Sequence, residues 1–315
     1  MKKYFKYIFL LVLFSCEKEE LPIQPHIPGN SEVNQISLLP DYSRQVFYHL
    51  NKNETVSENT KTDWDLLFYE NNEEHHIILN SSTYAKSASV DLEFDSEINI
   101  SELDFISDSP EGINSGLSIT NIYSKTIVVD RGFNLNGTQR GYKKFNILEI
   151  NNEYIDLIIA NLDNSQYEEV RILKELGKEK YTYSFDDGIV SIFPEDMSWD
   201  LLFTQYTHIF NDGTTYLLTG VLTNYLNNVT VSIDTINEFS LINFSDIDNY
   251  NFSSNQDCIG YGWKNYNHSS GVFTIIENIN YIIKDVNGFY FKMRFIDYYN
   301  ESGEKGYPKF EIQKL

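Results

Sequence analysis

One five-residue string occurs twice in this chain, and it constrains the fold more than any other feature. The string Trp-Asp-Leu-Leu-Phe fills positions 64–68 and returns unchanged at 199–203. The sequence has only 3 Trp among its 315 residues, so coincidence is a poor explanation of the match. Aromatic and apolar runs of similar shape flank both copies. A repeat of this kind predicts a fold built from related units that pack together.

Alternation within the string indicates what each position does. Extended chain points successive side chains to opposite faces, so Trp64, Leu66 and Phe68 should share one face. The second copy follows the same rule. We expect Trp64 and Trp199 to pack in the core, because aromatic side chains bury the largest areas. We expect Asp65 and Asp200 to accept hydrogen bonds at turns or strand edges rather than to act in catalysis.

Composition predicts an all-β fold. The 23 Tyr and 21 Phe residues suit pleated, half-buried surfaces, and long Ala/Leu/Glu/Lys segments are scarce. We therefore expect antiparallel sheets built from two related halves, with few short helices. The first β unit is placed at residues 36–180 and the second at 181–315, packed together as one domain. Any ligand is expected in the seam between the two units.

Several strands and turns are indicated by local pattern. Apolar and β-branched runs predict strands at 126–130 and 154–160. Residues 170–176 suit a helix by their Glu and Lys content and a strand by their hairpin context, and the strand is preferred. The pair Asn287-Gly288 is the strongest hairpin signal in the chain, because the favoured two-residue turns need positive φ.

The N-terminus has the pattern of a bacterial lipoprotein signal. Two lysines and an apolar run precede Leu13-Phe14-Ser15-Cys16, which resembles a lipobox. Residues 1–15 are assigned to a signal peptide, because the apolar run is too short to span a membrane. Cys16 is the predicted lipidation site, and residues 16–35 are expected to form an acidic, Pro-rich tether. The acidic start of this tether resembles the surface-export signal of lipoproteins in the Bacteroidetes.

Charge and missing motifs argue against several classes of function. The formal net charge of −22 repels phosphate backbones, so no nucleic-acid partner is expected. The same charge disfavours anionic lipid head groups, so membrane attachment depends on the lipid anchor. The sequence lacks the Gly-x-Ser-x-Gly, His-Glu-x-x-His, Cys-x-x-Cys and phosphate-loop signatures. We therefore expect a binding protein rather than an enzyme.

Several separated phrases resemble a known family. Trp199–Thr204, Ile259–Lys264, Met293–Asn300 and Gly303–Phe310 are similar to the HmuY-like lipoproteins of the Bacteroidetes and occur in the same order. The resemblance runs from about Ser43 to the C-terminus. It implies an all-β lipoprotein, anchored in the outer membrane and exposed at the cell surface, that binds heme and passes it to a TonB-dependent receptor. In the founding member two His side chains hold the iron, whereas other members use Met.

Heme capture needs an apolar cleft with one or two axial ligands, and imidazole is a common ligand of iron. Among the 6 His residues, His208 follows the second copy of the string and His76 opens the corresponding strand of the first unit. These two are the predicted iron ligands. Met197 and Met293 are alternatives that packing explains better. The densest group of cations is expected to offset the charge of the heme propionates: Arg131, Arg140, Lys143 and Lys144.

The alternative to heme is a different ligand on the same kind of lipoprotein. Exposed Tyr and Trp rings can hold a glycan or a protein by stacking, and stacking needs no His. The residues alone leave both functions open.

Overall fold

The computed structural model describes residues 28–71, 74–112 and 125–315, apart from the side chains at positions 71 and 74. The predicted signal peptide at 1–15, the predicted lipidation site Cys16 and most of the predicted tether lie outside these residues. Within the described part of the chain, no helix combines the length and the apolar composition needed to cross a membrane.

The described chain is built mainly from β-strands, and every pairing between them is antiparallel. The strands are β1 Glu32–Gln35, β2 Arg44–His49, β3 Glu54–Thr60, β4 Leu66–Asn71, β5 Glu74–Leu79, β6 Lys86–Val90, β7 Thr126–Asp130, β8 Tyr142–Ile150, β9 Tyr154–Ala160, β10 Glu168–Leu173, β11 Lys180–Ser184, β12 Gly188–Val190, β13 Leu201–Ile209, β14 Thr215–Thr223, β15 Thr230–Asp234, β16 Lys264–Asn267, β17 Val272–Ile275, β18 Asn280–Lys284, β19 Tyr290–Tyr299 and β20 Lys305–Lys314.

The helical elements among the described residues are short 3-10 turns. They are Ser81–Thr83, Ile100–Glu102, Asp196–Ser198, Tyr225–Asn227, Phe239–Leu241 and Phe244–Asn249. The predicted all-β fold with few short helices is therefore confirmed.

The strands form two sandwiches, each made of one five-stranded and one four-stranded sheet. In the first sandwich, β10-β9-β8-β7-β6 packs on β12-β11-β4-β5 around one apolar core. In the second, β1-β20-β19-β18-β15 packs on β14-β13-β2-β3 around another. The hairpin β16–β17 forms a separate two-stranded sheet within the same chain segment as the second sandwich. The two sheet orders correspond strand for strand, so the prediction of two related halves is confirmed.

The N-terminal strands pair within the sandwich of the second motif copy. β2 pairs with β13, with Phe47 opposite Leu202, whereas β11 pairs with β4, with Thr182 opposite Leu67. The first sandwich is thus continuous in sequence from β4 to β12, and it is inserted between β3 and β13 of the second. Strand pairing crosses the predicted boundary at residues 180 and 181 in both directions. The domain limits themselves stay a prediction.

The two four-stranded sheets face each other across a packed seam. Trp64 meets Phe193 edge to face, with ring centroids 5.5 Å apart. The Gln45 side chain donates to Ser82 and Thr204, and Trp64 Nε1 donates to Gln45 Oε1 at 2.9 Å. The space left in the seam is about 60 Å³. Sites that enclose drug-sized ligands measure roughly 300–1,000 Å³, so the expectation of a ligand in the seam is not met.

A bend at the Asp of each motif copy changes which side chains share a face. β4 starts at Leu66, so the preceding Trp-Asp pair is not part of the strand. Trp64 lies with Leu67 against the seam, while Leu66 and Phe68 face the core of the first sandwich. The predicted shared face is wrong, because the bend interrupts the alternation of an extended chain. The predicted burial of Trp64 and Trp199 is confirmed, with 4% and 3% of their surface exposed.

Candidate ligand-binding cavity

An open cavity lies beside β14, at the edge of the second four-stranded sheet. Near Val221 this edge is covered, because Val221 and Gly260 exchange backbone hydrogen bonds of 3.0 and 2.9 Å. The close approach requires glycine at position 220, where a Cβ would lie 2.4 Å from the Gly260 carbonyl oxygen. Farther along, the chain turns away into the β16–β17 hairpin. The gap between this hairpin and residues 216–219 of β14 forms the cavity.

The cavity is large, aromatic and free of carboxylates. It measures about 600 Å³, within the range of sites that bind organic cofactors, roughly 300–1,000 Å³. Its aromatic side chains are Tyr42, Phe210, Tyr216, Tyr261, Tyr266 and Phe273. Its polar side chains are Gln205, Thr219, Lys264, Asn265 and His268. No Asp or Glu is among the described residues that line it, although the protein has 46 acidic residues.

His208 lies directly behind the aromatic wall, near the end of β13. Its ring meets the rings of Phe210 and Tyr261 edge to face, with centroids 4.9 Å away in each case. On the other side, His208 Nδ1 lies 3.5 Å from Asp257 Oδ2, too long for a strong hydrogen bond. Burial raises the pKa of Asp257, and His208 opposes that shift. A carboxylate facing Nδ1 favours the tautomer whose Nε2 carries the free lone pair, as in metal-ligating histidines.

The structure does not bring the two predicted iron ligands together. His76 lies in the first sandwich, where it stacks on Tyr69 with ring centroids 6.2 Å apart and lines the small seam cavity. His268, which sequence reasoning passed over, lines the aromatic cavity from the turn between β16 and β17. Its ring meets that of Tyr266 edge to face at 4.9 Å. Of the residues described here, no three His, Cys, Asp or Glu side chains form a metal-binding group.

The two candidate methionines lie elsewhere. Met293 is fully buried in the core of the second sandwich, where it packs among apolar side chains. Met197 lies half exposed on the 3-10 turn that precedes the second motif copy. Neither lines the aromatic cavity.

The predicted basic cluster does not face the cavity. Arg131 donates from Nε to Asp65 Oδ1 at 3.1 Å, and Arg140 Nη1 forms an ion pair with the same oxygen at 2.8 Å. Lys143 donates to the Gln166 side chain, and Lys144 to the carbonyl oxygen of Phe94. All four cations are engaged within the first sandwich. None of the four lines the aromatic cavity, and their role at the heme propionates stays a prediction.

Lys264 is the one Lys or Arg among the described residues that line the cavity, and no described carboxylate forms an ion pair with it. Its amine donates to the carbonyl oxygen of Thr219 and lies 4.0 Å from the centre of the Trp263 ring and 5.0 Å from that of Tyr298. Burial lowers the pKa of this amine to about 7. The sequence contains Lys264 within a phrase that resembles the HmuY-like family, but no local pattern indicates that its side chain is buried.

The sequence model of the family described as HmuY protein matches residues 41–312. The chain belongs to the HmuY family. No match is found among curated proteins.

Three solved structures that match this chain have TM-scores under 0.5. Apo PinO from Porphyromonas gingivitis is 11% identical, with 91% of this chain and 97% of that chain covered and a TM-score of 0.35. A protein from Bacteroides vulgatus, proposed to be an HmuY-like heme binding protein, is 16% identical over 54% of this chain and 89% of that chain, with a TM-score of 0.25. The apo HmuY analog from Tannerella forsythia is 17% identical over 55% and 94%, with a TM-score of 0.25.

Proposed function

We propose that this protein is a cell-surface lipoprotein that binds heme in the aromatic cavity between β14 and the β16–β17 hairpin. The observation that carries the proposal is the position of His208 against the wall of a cavity large enough for a porphyrin. Membership in the HmuY family supports the same ligand class. His76 is not carried forward as an iron ligand, because it lies at the seam.

The residues of the cavity suit heme chemically. Aromatic walls fit a flat apolar macrocycle, and stacking or edge contacts with its faces add to the area that is buried. His208 lies behind the rings of Phe210 and Tyr261 and is not part of the lining. Its Nδ1 faces Asp257, so Nε2 would hold the iron once those rings move aside. His268 lies on the turn of the hairpin and is the candidate for a second ligand. Lys264 supplies a positive charge within a wall that holds no acid.

The proposal includes the setting in which the protein works. Cys16 would carry the lipid that anchors the chain to the outer membrane. The predicted tether would hold the folded part away from the bilayer only up to about residue 28, because Gly29 bonds to Lys314 and residues 32–35 form β1. The cavity is open on one side, so a bound heme could leave without unfolding of the protein. We therefore propose transfer of heme to a TonB-dependent receptor as the next step.

Hemin titration of the purified protein tests the ligand. We expect saturation at one heme per chain with a sharp Soret band, and His208→Ala should remove the sharp band. Asp257→Asn should weaken binding by about 10-fold or more, because it changes the support of the ligand rather than the ligand itself. The matched control is His76→Gln, which should leave the spectrum unchanged. A broad, unshifted spectrum in the wild-type protein would refute heme binding.

A glycan or protein ligand remains the second candidate because two tyrosines of the cavity are exposed. Tyr216 and Tyr266 show 61% and 46% of their surface to solvent, as stacking platforms do. In this case Tyr216→Ala should abolish binding on a glycan array, while His208→Ala should have no effect. The two candidates thus give opposite results for the same pair of variants.

A further inference from the structure

We propose that the aromatic cavity selects ligands that carry a carboxylate, and that Lys264 is the counter-ion, which takes up a proton when the ligand binds. This inference rests on the proposed function only in that it concerns the same cavity. It adds a residue, a chemical class of ligand and a dependence on pH.

The first observation is a buried cation without an anion. Lys264 has 8% of its surface exposed, and burial is the cause of its lowered pKa, with no carboxylate opposing that shift. A buried ammonium is costly unless it is paired. The carbonyl oxygen of Thr219 and the face of the Trp263 ring offer partial compensation. Two of the three N–H groups of an ammonium have no acceptor in the described structure and are available to a ligand.

The second observation is the distribution of charge around the cavity. The chain has a formal net charge of −22, yet the lining of this cavity contains Lys264 and no acid. Repulsion of an anionic ligand by the rest of the surface is screened within about 8 Å at physiological salt. Close to the wall, the charge of Lys264 therefore dominates. A neutral ligand gains nothing from this arrangement, whereas a carboxylate gains a charge-assisted hydrogen bond.

Other titratable groups lie near Lys264, and their contribution to the pH dependence of binding must be distinguished from that of its amine. The phenols of Tyr42 and Tyr298 pack nearby, with their rings 6.3 Å apart, and burial raises the pKa of Tyr298. Lys305 lies over the outer face of Tyr42, 5.1 Å from the ring centre. His268 lines the same cavity from the turn between β16 and β17. Burial keeps the phenol of Tyr298 protonated through this range, and the control removes the side chain of His268.

The sign of the pH effect follows from linkage. Between about pH 5 and pH 7 the amine is largely protonated in the free protein and the ligand carboxylate is ionised, so the affinity should change little. Above pH 7 the free amine is neutral, and binding must draw a proton from solution. The affinity should then fall by up to about tenfold per pH unit. An uncharged analogue of the same ligand should show no such fall.

Iron-free protoporphyrin IX and its dimethyl ester test this without iron chemistry. We expect the full-length protein to bind the free acid at least about tenfold more tightly than the ester at pH 7. Calorimetry in two buffers of different ionisation enthalpy should show proton uptake at pH 8 for the acid only. Lys264→Met should remove both the preference and the uptake, while His268→Gln should retain both.

The outcomes separate the two proposals. Equal affinity for acid and ester would overturn the counter-ion, even if hemin gives a sharp Soret band. A Lys264→Met variant that keeps the preference would overturn it as well, and near-UV circular dichroism of that variant checks that it is folded. Weaker hemin binding with an unchanged Soret position at saturation is expected for Lys264→Met, whereas a shifted Soret position at saturation would assign the amine to iron instead and also overturn the proposal. Absence of binding by hemin and by both porphyrins would refute the proposed function itself.

Discussion

The two motif copies hold their aspartates in the same backbone setting with different chemical partners. Asp65 N donates to the carbonyl oxygen of Tyr183, and Asp200 N to that of Tyr48, each at 2.8 Å. In both copies an Asn side chain also donates to the carbonyl oxygen of the motif Trp, at 2.8 Å in the first and 3.0 Å in the second. The repeat therefore extends beyond five residues into a shared network of hydrogen bonds.

The charge around the two carboxylates differs completely. Asp65 binds Arg131 and Arg140, and Phe185 N donates to it at 2.9 Å. Asp200 lies 3.0 Å from His49 Nδ1 and accepts from Leu50 N and Val286 N, at 2.7 and 2.9 Å. The expectation that both act as acceptors at turns is confirmed. The backbone bend thus explains why Asp recurs, whereas each sandwich neutralises the charge in its own way.

The largest loss of folding stability is expected for Asp65→Ala, and it tests whether the two motif aspartates differ in their partners. The change leaves two buried guanidinium groups with Asp186 alone, and removal of one partner of a buried ion pair costs about 3–5 kcal/mol. Urea unfolding measures this loss. The control is Asp156→Ala, which removes an exposed partner of Arg171 and should change stability little. A loss in Asp65→Ala no larger than in the control would contradict the buried network.

A smaller effect is expected for Asp200→Asn, because the amide keeps one of the two acceptor oxygens. We expect a loss of about 1–3 kcal/mol at pH 5. Burial raises the pKa of Asp200, so the folded state holds the proton more tightly than the unfolded state. The contribution of Asp200 to wild-type stability should therefore fall as pH rises above about 4. The variant lacks this carboxyl group, so its unfolding free energy should depend less steeply on pH. Burial also raises the pKa of Asp285 nearby, so some slope should remain.

Unfolding curves of the wild-type protein and Asp200→Asn at several pH values test this prediction. The penalty of Asp200→Asn should shrink between pH 5 and pH 8. A penalty that grows over this interval would mean that Asp200 is stabilised as an anion, like Asp186, whose pKa is lowered mainly by its hydrogen bond from Arg131.

The smallest difference in folding stability is expected between variants of the two motif tryptophans. Trp64 Nε1 donates to Gln45 Oε1, whereas Trp199 Nε1 has no hydrogen-bond partner among the described residues. Both changes to Phe remove a similar volume, so Trp64→Phe should cost about 1–2 kcal/mol more than Trp199→Phe. Thermal unfolding of the matched pair checks this. Equal costs would show that the bond to Gln45 contributes nothing net.

Local pattern predicted local structure well. The strands expected at 126–130 and 154–160 match β7 and β9 at both ends. The strand expected at 170–176 is confirmed by β10, although it ends earlier, at Leu173. Gly288 has a φ of 84° in the turn between β18 and β19, as the hairpin signal predicted. In each case residues close in sequence determine the result.

The rest of the fold and the site depend on residues far apart in sequence. Nothing in the pattern of β2 says that its partner is the strand that holds the second motif copy. The bend at Asp65 is invisible to alternation, which assumes continuous extended chain. The burial of Lys264 arises where β14, β17 and β19 converge. These features need tertiary contacts that a single sequence does not specify.

The insertion of one sandwich into the other fixes an order of assembly. The segment from 66 to 190 holds every strand of the first sandwich and can close while the remainder is still being synthesised. β1 to β3 are made first but must wait for β13 to β20, since β1 pairs with the final strand. Gly29 N donates to Lys314 O, so both ends of the described chain meet at one place. In a circular permutant, the chain would be joined near Gly29 and Lys314 and opened between β12 and β13. Each sandwich would then occupy one continuous stretch of sequence, and β1 to β3 would no longer be made before their partners.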